Sequence, residues 1–104
     1  MNEPPEQSVR LDLNNPVFQS QLLNLQKQHQ RKVLATLRKL FDMTWDQVYT
    51  DKGLKWEVIV SCKGPHGGRI YSFRIGKGFR GIAYREKSWM RILSLHPDHD
   101  STYD

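Results

Sequence analysis

Near Asp51 the spacing of apolar residues switches from helical to extended, and few architectures accommodate that switch in a chain of 104 residues. Before it, Val33, Leu34, Leu37, Leu40 and Phe41 recur at i, i+1, i+4, i+7 and i+8, with Arg31, Lys32, Arg38 and Lys39 largely off that stripe. After it come four short runs rich in β-branched and aromatic residues: Lys55–Cys62, Arg69–Ile75, Phe79–Arg85 and Trp89–Leu95. The breaks between them are short: the GPHGG stretch at 64–68, Gly76–Gly78 and Glu86–Ser88. Connections of this length join only antiparallel neighbours, so the four strands form a meander, which Pro97 ends.

Upstream, Val9–Leu13 alternates as a short strand, and residues 1–8 are expected to be disordered. Asn14 and Asn15 before Pro16 mark a helix start, with Phe18, Leu22 and Leu25 on one face. The polar stretch Gln26–Gln30 either breaks that helix or leaves it exposed, and the two helical patterns suggest an antiparallel pair. Thr44 with Gln47 fits a capping box, turning Trp45 and Val48 inward. The expectation is one α+β domain over residues 9–104: an N-terminal strand and a helical pair packed on one face of a mainly antiparallel sheet.

Charge directs attention to the other face. Residues 1–51 hold six basic and six acidic side chains, whereas residues 52–91 hold ten basic against two acidic, Glu57 and Glu86. The arginines lie within the strands. Arg74 shares a side of its strand with Ile70 and Ser72, and Arg80 shares one with Ile82 and Tyr84. Burying both arginines under helices would be costly, so an open sheet face is expected to carry them toward a polyanion or an acidic protein. No apolar run is long enough to span a membrane, and the acidic, proline-containing start is unlike a secretory signal. With Cys62 as the one cysteine, a reducing cytoplasm is the expected compartment.

Guanidinium groups suit the equatorial oxygens of a phosphodiester, and Arg80 and Arg74 are the candidates. Proton transfer near neutrality suits imidazole, so His96 and His99 are candidates, with Asp98 and Asp100 beside them and Tyr103 as a further donor or stacking group. Glu57 is a secondary candidate base; Lys55, Lys63, Arg69, Arg85 and Arg91 are candidates for general backbone attraction. His96, His99 and Asp100 are also metal-ligand types, but Pro97 denies them a helical face and no distant third ligand is evident. No metal and no cofactor are expected.

The segment Tyr71-Ser72-Phe73-Arg74-Ile75, the turn, and Arg80-Gly81-Ile82-Ala83-Tyr84, followed by an apolar strand and a polar tail, resemble the RelE/ParE superfamily of bacterial toxins. The resemblance implies the toxin of a type II toxin–antitoxin system. In the mRNA-cleaving branch it implies a metal-independent endoribonuclease that enters the ribosome and cuts mRNA, with a cognate antitoxin as partner. Carried onto this chain, it makes Arg80 and Arg74 phosphate-stabilising residues and a tail His or Tyr the proton-transfer group. The tail is longer and more acidic than the family pattern. Two other readings stand beside this one: a gyrase-directed toxin on the same fold, and a non-catalytic nucleic-acid-binding or interaction module.

Overall fold

The computed structural model describes residues 8–97. Asn15 accepts hydrogen bonds through its side chain from the backbone N–H groups of Val17 and Phe18, starting α1 (Pro16–Asn24) with Pro16 where no donor is lost. Leu25 and Gln26 then take extended backbone and the helix breaks. The Gln30 side chain donates across the break to the Leu22 carbonyl, which also accepts the Leu25 N–H. The second helix, α2 (Lys27–Phe41), buries Val33, Leu37 and Leu40. Its apolar stripe is narrower than the sequence suggests: Leu34 is 57% and Phe41 68% exposed. They stand about 100° around the helix from Val33 and Leu40, beyond the reach of the sheet. Thr44 and Gln47 form the reciprocal capping box of α3 (Trp45–Thr50), which turns Trp45 and Val48 inward.

The strands are β1 (Arg10–Asp12), β2 (Glu57–Lys63), β3 (Arg69–Gly76), β4 (Phe79–Glu86) and β5 (Trp89–His96), in the order β1-β5-β4-β3-β2. As expected, β2 to β5 form an antiparallel meander. The N-terminal strand joins it parallel to β5, which the sequence did not specify because the helices separate the two. Ser8, expected to be disordered, forms a β-bridge with Thr44.

One sheet face is covered by the helices. Phe73, Phe79, Ala83, Met90, Ile92 and Leu95 point into a core shared with Phe18, Val33, Leu37, Leu40, Trp45 and Val48. Trp45 also donates through Nε1 to the Ser88 carbonyl, tying α3 to the β4–β5 turn. A Cβ at Gly81 would lie 2.3 Å from the Phe73 ring, so the absence of a side chain there lets that ring lie flat against β4. The opposite face of the sheet has no covering layer among the described residues.

Candidate nucleic-acid interface

Register decides which charges meet. Arg74 of β3 pairs opposite Arg80 of β4, and Arg80 pairs opposite His96 of β5. Directly opposed residues share a face, and strands lie about 4.8 Å apart, so these three side chains form a row across the open side. Like charges opposed in this way are unfavourable, and Arg80 is partly compensated. Its guanidinium donates to Ser72 Oγ and lies 3.6 Å from Glu57 Oε1. The Arg80 side chain is 40% exposed and that of Glu57 64%, so the pair is weak and leaves Arg80 available to a stronger anion.

Around the Arg74–Arg80 pair is a cleft of about 230 Å³, lined by Lys55, Arg74, Gly76, Lys77, Gly78 and Arg80. Four cations and two glycines suit a compact anion better than an apolar ligand. The turn at its rim depends on Gly78, whose φ of 72° favours glycine. Lys55 also adopts a positive φ, 53°, in the segment just before β2; this costly backbone for a side-chain-bearing residue places it on the cleft wall.

His96 lies exposed at the end of β5, with Nε2 2.9 Å from Ser94 Oγ. The register therefore brings His96 to Arg80. His99 and Tyr103, with Asp98 and Asp100, lie outside the described residues. Glu57 stands opposite Ser72, beside the same row, as the ion-pair partner of Arg80.

The other candidate contacts divide. Lys55 lines the cleft. Lys63 and Arg69 oppose each other at the far end of the β2–β3 pair, beside a separate hollow of about 440 Å³ that Val58 and Val60 also line. Arg85 lies on the helix-covered side. Its guanidinium stacks 4.3 Å from the Trp45 ring centre and donates to the Tyr49 hydroxyl and the Lys87 carbonyl. Arg91 is on the open face but is gripped by Glu86 at 2.7 Å and by Asp12. The hydrogen bonds that Arg91 donates to Glu86 and then to Asp12 raise its pKa, while the Asn14 N–H, followed by Arg91, holds the Asp12 carboxyl below the usual range. Local periodicity hid the roles of Arg85 and Arg91, because their partners come from distant elements. Lys77, overlooked as a cleft residue, had a visible signal in its Gly-Lys-Gly turn. Among the described residues, no group of three or more His, Cys, Asp or Glu side chains is placed to hold a metal. No helix among them is long and apolar enough to cross a membrane.

An α+β sheet with this strand order, one face under helices and the other open, is a RelE-like fold. Among solved structures the chain is similar to the archaeal RelE–RelB complex from Pyrococcus horikoshii OT3, with a TM-score of 0.59 and 20% identity over 86% of this chain and 94% of that chain. At that identity the likeness concerns the fold. No family model matches the sequence, and no curated protein matches it.

Proposed function

We propose that this protein is the toxin of a type II toxin–antitoxin pair, cutting ribosome-bound mRNA in the cytoplasm and restrained by a cognate antitoxin. The observation that carries the reading is the cleft of Lys55, Arg74, Lys77 and Arg80 on a RelE-like sheet, with His96 opposite Arg80. The solved relative in fold is itself a complex of RelE with RelB, which supports a protein partner for this chain.

In the proposed reaction the 2′-hydroxyl of one nucleotide attacks the adjacent phosphorus. A P–O bond forms, the bond to the next nucleotide's 5′-oxygen breaks, and a 2′,3′-cyclic phosphate remains. Arg80 and Arg74 hold the equatorial oxygens, where negative charge builds, with a forked geometry that an ammonium lacks. One group removes the 2′-hydroxyl proton and another supplies a proton to the leaving 5′-oxygen. His96, which stands in the row, is one candidate, and His99 and Tyr103 are the candidates from the tail. Lys55 and Lys77 attract the backbone at the cleft, with Lys63 of β2 and Arg69 of β3 at the far end of that strand pair. Arg85 and Arg91 are committed to Tyr49, Trp45, Asp12 and Glu86 and contribute less.

Primer extension on mRNA from cells expressing the wild type and Arg80→Ala tests this reading. New 5′ ends are expected within coding regions for the wild type and not for the variant. Identical cleavage by a folded Arg80→Ala protein would overturn the assignment.

A further inference from the structure

At the other end of the open face stands a group that the cleft does not use. Of the three tryptophans, Trp45 and Trp56 are buried, whereas Trp89 is 37% exposed. Trp89 is flanked by two guanidiniums: Arg91 lies 5.5 Å and Arg10 5.9 Å from its ring centre. Arg91 is fixed there by Asp12 and Glu86. Arg10 is directly opposite Trp89 on β1 and makes no ion pair among the described residues.

Trp89 pairs with Glu86, six residues along β4 from Arg80, which places it about 20 Å from the cleft at the usual strand rise. Ile82 and Tyr84, both half-buried, share the face between them. A partly exposed indole beside an exposed cation, joined to an anion cleft by a half-apolar floor, matches the way single strands are held. Their phosphates meet cations while unpaired bases stack on aromatic rings.

We infer that Trp89, with Arg10 beside it, is a base-stacking subsite for single-stranded RNA, a few nucleotides from the phosphate held at Arg74 and Arg80. The inference rests on RNA being the ligand of that cleft, and the test separates the two. Fluorescence anisotropy is measured with 2′-O-methyl oligonucleotides, which lack the attacking hydroxyl. One is short enough to fill only the cleft, a second reaches Trp89, and a third matches the second but has abasic positions at the distal end.

Trp89→Ala is expected to weaken the long oligonucleotide roughly 5- to 150-fold, the usual range for one stacked base, and to leave the short one unchanged. Trp89→Phe should retain most of the affinity. The abasic strand should bind the wild type as weakly as the intact strand binds Trp89→Ala, and the substitution should then add no further loss. Arg80→Ala should weaken all three. Loss of short and long binding together in Trp89→Ala, or a loss that persists with the abasic strand, overturns base stacking. Unchanged long binding in Trp89→Ala, with Arg80→Ala still impaired, overturns the subsite alone. Failure of the wild type to bind any strand overturns the cleft reading as well. An equal effect of Trp89→Ala on poly-glutamate would make this a docking face for acidic protein and also overturn the proposal.

Discussion

Replacing Arg80 by alanine should separate catalysis from folding, because the interactions it makes in the free protein are weak and those proposed for the transition state are strong. Its ion pair with Glu57, at 3.6 Å and largely exposed, is worth about 0–1 kcal/mol. The hydrogen bond to Ser72 adds about 1 kcal/mol, since Ser72 is buried and would need water in the vacated space. Relief of the like-charge opposition to Arg74 returns a few tenths of a kcal/mol. The net cost of about 1–1.5 kcal/mol lowers the melting temperature by roughly 4–12 °C at this chain length. A domain of ordinary stability, about 5–15 kcal/mol, stays folded under assay conditions.

Removing one preorganised donor from developing negative charge costs about 10²- to 10³-fold in rate. Arg80→Lys keeps the charge without the fork and should fall between the two proteins. The assay pairs cleavage of ribosome-bound message with thermal unfolding followed by circular dichroism. Two outcomes refute the reasoning: a folded Arg80→Ala protein that cuts at the wild-type rate, or a variant whose lost activity tracks its lost structure.

Other consequences can be measured on the same protein. Lys55→Ala and Lys77→Ala should each reduce the slope of log affinity for single-stranded RNA against log salt by about 0.7, the value for one lost phosphate contact; an unchanged slope removes that lysine from the path. Arg85→Ala should lower the melting temperature by releasing Trp45 and Tyr49 while leaving the salt slope intact, and a reduced slope would restore Arg85 to the interface. Asp51 is held below its ordinary pKa first by the Leu54 N–H and then by Lys39, so it contributes stability that is present above the unfolded value near 4 and lost as pH falls through the folded value. Asp51→Asn should therefore flatten the loss of melting temperature between neutral pH and the acid side of that window, and an equally steep acid limb in the variant would contradict this role.

The parts of this molecule that were legible in the sequence are those set by near neighbours. Asn15 before Pro16, Thr44 with Gln47, and the short breaks between strands each act within a few residues, and each produced the expected cap or turn. That Arg74 and Arg80 both stand on an open face also followed from alternation, once helices were assigned to the other side, but that they are neighbours rests on the strand register. Pairings across the chain were not legible. Asp12 meets Arg91 only because β1 docks parallel beside β5, and Arg85 meets Tyr49 only because α3 covers the end of the sheet. Both removed a cation from a surface to which composition had assigned it.

The placement of His96 shows how a local irregularity reaches the site. Along β5 the buried residues are Met90, Ile92 and Leu95, a spacing of two and then three. A strand with strict period two cannot put all three on one face, so one extra residue must be taken up. It is taken up between the pairs Ala83–Ile92 and Ile82–Ser94, where Leu93 has no partner on β4. Without that bulge, continuing the register of Glu86–Trp89 would place Leu95 opposite Arg80 and turn Ser94 and His96 toward the helices, burying two polar groups. The apolar spacing that fills the core is thus also what carries His96 to the open face beside Arg80, and it ties this candidate imidazole to the packing of Leu95.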